Sequence, residues 1–176
     1  VQINQAAENG TTPLLVASLQ GHIDIVSLLL QREDIQINQA GKNGMTTLYI
    51  SSREGHVDVV QALLTRDDIN VNKPRTSDGC TPLFIASQNG HDQIVQTLLT
   101  RDDINVNKPR TEAECTPLYI ASQNGHVKIV QTLLKRVDID VNKPRDNGCT
   151  PLYVAAQQGH VQIVQTLLTR DDIDVN

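Results

Sequence analysis

The sequence predicts an all-α repeat solenoid of five helix-turn-helix units stacked along residues 1–176. Three observations predict it. The triplet Thr-Pro-Leu begins at Thr12, Thr81, Thr116 and Thr150, and the variant Thr46-Thr47-Leu48 fills the gap, giving spacings of 34, 35, 35 and 34 residues. Ten residues after each of these threonines stands a histidine preceded by glycine: Gly21-His22, Gly55-His56, Gly90-His91, Gly125-His126 and Gly159-His160. Leucine pairs then recur in the same phase at Leu29-Leu30, Leu63-Leu64, Leu98-Leu99, Leu133-Leu134 and Leu167-Leu168. Repeats are therefore expected to begin near Thr12, Thr46, Thr81, Thr116 and Thr150, with residues 1–11 entering the first as part of one repeat domain.

Each element of a unit has a local cause. Thr before Pro is a helix start, because the hydroxyl caps free N–H groups and Pro is tolerated in the first turn. In the third unit Leu83, Ala86 and Ser87 fall at i, i+3 and i+4, which makes a short helix with a small-residue face. Asn89-Gly90 ends it, since Gly accepts the left-handed conformation that closes a helix. His91 opens a second helix whose stripe is Ile94, Val95, Leu98 and Leu99. Pro109, in the stretch that follows the second helix (104–110), argues for an extended connection, a finger, rather than more helix. Isolated helices below roughly 12–15 residues are marginal in water. One unit cannot bury its stripe alone, so the core must be linear and shared between neighbours.

Taken in this order, Thr-Pro-Leu, Gly-His, Ile-Val, Leu-Leu and Asp-Val-Asn resemble the ankyrin repeat, and the resemblance covers essentially the whole chain. It implies an L-shaped unit, short β-hairpin fingers, a curved stack, and protein–protein recognition on a concave surface of first helices and fingers. The chain departs from the family pattern in two ways. The family's period is about 33 residues, whereas here the stretch after the second helix, 66–72 and its equivalents, is longer and lacks the usual Gly-Ala-Asp. A further residue is added between Asn72 and Thr81 and between Asn107 and Thr116, outside the helices, so finger shape is expected to change while packing survives. Glu114 also stands where other fingers have Gly10, Gly44, Gly79 and Gly148, which predicts a different turn there.

Composition narrows the function classes. A formal net charge of -5 gives no whole-chain drive toward nucleic acid or anionic membranes. No apolar run approaches the roughly 20 residues that span a bilayer. Three cysteines do not form a disulfide framework, which fits a reducing, cytoplasmic setting. Cys80, Cys115 and Cys149 each precede the repeat Thr, as finger thiols with no neighbour that marks a nucleophile. The five histidines share one repeat position. Helices stacked about 8–10 Å apart do not bring successive rings to the roughly 2 Å reach of a metal bond, so each ring is expected to bond backbone at its turn. No metal site, cofactor or catalytic set is expected, because neither a nucleophile–base pair nor a phosphate loop stands out.

Candidate contact residues come from three places. All four aromatic residues, Tyr49, Phe84, Tyr119 and Tyr153, lie three residues after the repeat Thr, with Leu15 in the first unit. They form either a brace for the fingers or a ring-rich contact stripe. The ends of the first helices, Arg53-Glu54, Gln88-Asn89, Gln123-Asn124 and Gln157-Gln158, occupy positions that touch partners in ankyrin relatives. So do the finger tips Lys42-Asn43, Ser77-Asp78, Glu112-Ala113 and Asp146-Asn147. Lys73-Pro74-Arg75, Lys108-Pro109-Arg110 and Lys143-Pro144-Arg145 predict a basic strip, and Asp67-Asp68, Asp102-Asp103 and Asp171-Asp172 an acidic one. These strips are either solvated faces or a site for an acidic protein segment. The first unit keeps apolar Leu14, Leu15 and Ile25, and the last keeps Val161, Ile163, Val164, Leu167 and Leu168, which predicts flanking repeats or end-to-end association. Three functional classes are compatible: a protein-binding scaffold, a targeting module of a larger enzyme or effector, and a structural or designed array.

Overall fold

The computed structural model describes residues 2–175, except for the side chain of Asn43. Ten α-helices form in pairs: α1 (Pro13–Leu19) with α2 (Ile23–Leu30), α3 (Thr47–Glu54) with α4 (Val57–Leu64), α5 (Pro82–Asn89) with α6 (Asp92–Leu98), α7 (Pro117–Gln123) with α8 (Val127–Leu133), and α9 (Pro151–Gln157) with α10 (Val161–Leu167). A 3₁₀ turn occupies Lys42–Gly44.

Every first helix starts as its sequence dictates. The hydroxyls of Thr12, Thr46, Thr81, Thr116 and Thr150 accept the N–H groups of Leu15, Tyr49, Phe84, Tyr119 and Tyr153 at 3.1–3.2 Å. Gly55 and Gly90 close α3 and α5 with φ of 86° and 80°. Each helix is only seven or eight residues long, so propensity alone does not hold it.

Packing supplies the rest, and it is strictly neighbourly. First helices stack on first helices, from α1 to α9, and second helices on second helices, from α2 to α10. The first helices approach one another more closely than the second helices do, and α1, α3, α5, α7 and α9 together form one side of the stack. Small residues permit that approach: Ser18, Ser52, Ser87 and Ser122 are fully buried at the same repeat position. The main core runs lengthwise through Leu48, Val60, Leu63, Leu83, Val95, Leu98, Leu118, Val130 and Leu133, none of which is exposed.

A second continuous tie lies along the base of the fingers. Asn4, Asn38, Asn72, Asn107 and Asn142 each donate from Nδ2 to a carbonyl one unit ahead, at Asp34, Asp68, Asp103, Asp138 and Asp172, over 2.6–2.7 Å. Each also accepts, at Oδ1, the N–H of Gln36, Asn70, Asn105, Asp140 and Asp174 at 2.8–2.9 Å. One side chain thus substitutes for a pair of backbone hydrogen bonds between successive units.

The fingers differ from the β-hairpins that the resemblance implies. No strand forms among the described residues. Each finger is closed instead by a single bond between its ends, as from Arg75 N–H to the Cys80 carbonyl at 2.8 Å and from Arg145 N–H to the Cys149 carbonyl at 2.9 Å. A loop of this size has too few residues for a ladder. The added residue of the third finger sits inside that loop: its turn bond runs from Gly79 to Arg75, against Gly148 to Arg145 in the last. The expectation for Glu114 is corrected. It takes the left-handed backbone at φ 49°, the same region as Gly79 at 73°, so the turn is kept and a non-glycine residue is placed in it.

Candidate functional site

The candidate residues divide sharply between core and surface. Tyr49, Phe84 and Tyr119 are 0–3% exposed, whereas Tyr153 is 54% exposed. The ring ladder is therefore present but lies inside, in a second apolar cluster with Cys80, Ile85, Cys115 and Val154 beneath the fingers. Three of the four rings are thus packed within the stack, and Tyr153 alone is at the surface. Each ring is covered by the following unit, and Tyr153 belongs to the last one described.

The third finger is locked onto this cluster. The Arg75 guanidinium lies over the Tyr49 ring, 5.4 Å from its centroid. It forms two hydrogen bonds with the Asp78 carboxylate, which also accepts from the Cys80 N–H and Sγ. Arg75 holds the Asp78 carboxyl well below the usual carboxylate range, against the opposing effect of burial. Burial, reinforced by that carboxylate, pushes the Cys80 thiol up to about 12. Asp78, expected at an exposed tip, is buried; Ser77 beside it is exposed. Cys80, Cys115 and Cys149 are unpaired thiols, the first two buried.

The basic strip is largely spent within the molecule. Lys73 and Lys108 donate to the carbonyls of Asn38 and Asn72 at 3.0 and 3.1 Å. Arg75, Arg110 and Arg145 pair with Asp78, Glu112 and Asp146. All members of the acidic strip are exposed, and Asp68, Asp103 and Asp172 pair with Arg66, Arg101 and Arg170.

The histidines bond backbone, as expected, but the bond crosses between units. Nε2 of His56, His91, His126 and His160 lies 3.0–3.1 Å from the carbonyls of Leu19, Arg53, Gln88 and Gln123 in the preceding first helix. Among the described residues no three His, Cys, Asp or Glu side chains gather as a metal site would require.

What remains on the side formed by the first helices is a row of side chains, one in each of the last four units. Arg53, Gln88 and Gln123 are half-buried and Gln157 is exposed. Arg53 is occupied by Glu54, its Nε donating to the carboxylate at 2.7 Å. Asn89 and Asn124 are exposed yet tied, each donating from Nδ2 at 2.9 Å to the Arg53 and Gln88 carbonyls that the histidines also use. Gln158 is exposed, as are the tips Lys42, Glu112, Asp146 and Asn147, while Ala113 is half-buried against the ring cluster. Asn43 has its side chain outside the described residues.

The family model for ankyrin repeats matches residues 1–75, 33–110, 67–144 and 103–176, which together span the chain. The chain belongs to the ankyrin-repeat family. A search of curated proteins matched none to it. Ankyrin repeats are in general protein-interaction modules and typically non-catalytic. No helix among the described residues is long and apolar enough to cross a membrane. Within this ankyrin stack, the asparagine rungs are the residues that sequence reasoning passed over. Their signal was available, since Asn stands at the same place in every unit; what was lacking was a geometric reason for it.

Proposed function

We propose that this ankyrin stack is a non-catalytic module that holds a segment of a partner protein along the inner row Arg53, Gln88, Gln123 and Gln157. Glu54, Gln158 and the exposed finger tips Lys42, Ser77, Glu112, Asp146 and Asn147 flank that segment. The observation that carries the reading is the state of the amides. Among the described residues, the side chains of Gln88, Gln123 and Gln157 form no hydrogen bond with the protein, whereas Asn89, Asn124, His91, His126, His160 and Arg53 around them are engaged.

An unengaged amide has one acceptor and two donors to offer. Stacked helices lie about 8–10 Å apart, and an extended chain rises about 3.3 Å per residue. Successive glutamines therefore meet an extended segment at every third residue, where an amide can pair with its backbone. Charge plays little part in this row, because its one cation, Arg53, is paired with Glu54. The three unpaired cysteines support a reducing, intracellular setting.

The test is selection of peptides from a displayed random library, followed by binding measurements on two matched variants. Gln88→Ala, Gln123→Ala and Gln157→Ala together should abolish binding of the selected peptides. Gln61→Ala, Gln96→Ala and Gln131→Ala, a parallel row on the second helices, should leave it intact. The opposite pattern would remove the inner row from the function.

A further inference from the structure

The fourth unit departs from its neighbours on one exposed face. It carries Lys128, Lys135 and Val137 where the third unit has Gln93, Thr100 and Asp102 and the fifth has Gln162, Thr169 and Asp171. All of these positions are exposed. The three changes act in one direction, adding two cations and removing an acid. In the first two units the position of Lys128 holds the opposite charge, at Asp24 and Asp58.

Helix geometry gathers the three side chains. Lys128 stands in the first turn of α8, Gln131 follows on the same face, and Lys135 lies just past the last turn, at i, i+3 and i+7. That places the two lysines about 10 Å apart along the helix. Val137 follows in the next turn and is 97% exposed, more than any other large apolar side chain among the described residues. Neither lysine is spent within the molecule. Among the described residues the side chains of Lys128 and Lys135 form no hydrogen bond or ion pair, unlike Lys73 and Lys108, which serve carbonyls, and Arg136, which holds Asp138. Beside α8, the matching positions of α6 and α10 are the uncharged Gln93, Gln96, Gln162 and Gln165. Beside Val137 they are the acids Asp102 and Asp171.

We propose that α8 and the turn after it are a docking face for an acidic segment of a partner protein, separate from the row on the first helices. Two carboxylates of the segment meet Lys128 and Lys135, and an apolar side chain beyond them covers Val137. In an extended chain carboxylates three residues apart are separated by about 10 Å, which matches the two lysines. Covering Val137 removes apolar surface from water, so it adds affinity that charge alone does not supply. The segment runs along α8, because a course across the stack would bring its acids against Asp102 and Asp171. Those two carboxylates also set the face apart from a site for a uniform polyanion such as nucleic acid.

A displayed peptide library with a fixed acidic frame, Glu-Xaa-Xaa-Glu followed by random residues, tests this on the whole chain. It is selected in parallel on the wild type and on a variant carrying Lys128→Gln, Lys135→Thr and Val137→Asp. That variant gives the fourth unit the residues its neighbours already have, so circular dichroism should show it folded. Peptides held by Gln88, Gln123 and Gln157 bind both proteins alike, so the comparison reads this face alone. The expected result is a set of peptides whose affinity drops about tenfold on the variant. Those peptides should share Leu, Ile or Val at one position after the second Glu, and their binding should weaken as salt is raised. Indistinguishable pools from the two proteins would overturn the proposal. So would lysine-dependent binding of a poly-deoxythymidine strand as tight as that of the best peptide, because the face would then read a polyanion and not a protein segment.

Discussion

Two finger residues show how a single position departs from the repeat at a local cost. Glu114 sits at φ 49°, a region that suits glycine. Glu114→Gly should stabilise the chain by about 1 kcal/mol, read as a raised midpoint in urea with an unchanged slope; an unchanged or lowered midpoint would mean that the turn carries no strain. Asp78 is the second case. Its carboxyl is depressed in the folded state by Arg75, so its contribution is complete above the ordinary carboxylate range and is lost as pH falls below that range toward the depressed folded-state value. Asp78→Asn should therefore cost about 2–3 kcal/mol at neutral pH. The gap between wild type and variant should close as the solution is taken below about pH 4, and a gap independent of pH would rule out the ion pair as its source. The sequence marks Glu114 as the exception among the finger glycines but not the left-handed backbone it keeps. Asp78 reads as an exposed tip because a carboxylate in a loop normally is one, and only the Arg75 guanidinium over the Tyr49 ring gives it a buried place.

At the scale of elements, the sequence was close to sufficient. The Thr caps, the glycine stops and the Ile94-Val95-Leu98 stripe all act where periodicity and capping chemistry put them. Ring burial and the rungs were not legible, for a common reason. Both depend on the neighbouring unit: whether Tyr49 is surface or core is decided by α5 and the third finger, not by α3 itself. The same dependence makes the rungs a means of coupling. Asn107→Ala would strand the Asp138 carbonyl and the Asp140 N–H, which the Asn107 side chain now serves. A loss of about 1–2 kcal/mol is expected, with hydrogen exchange accelerated at Asp140 relative to the amides within α7. Equal acceleration throughout would show that the rung does not act locally.

The molecule as a whole follows from short helices that have no stability of their own. Each pair buries its stripe only against adjacent pairs, so stability is a sum over units and junctions. The row on the first helices results from the same arrangement, since first helices packed closely at Ser52, Ser87 and Ser122 place Arg53, Gln88 and Gln123 in line one residue further on. The most direct measurement is the equilibrium unfolding of residues 1–142, cut at the rung Asn142 so that the last helix pair is missing. The account predicts a folded chain with unchanged helicity per residue in the first four units and a lower unfolding midpoint. A chain that loses its helical signal altogether at low temperature, as a globule deprived of part of a common core would, contradicts it.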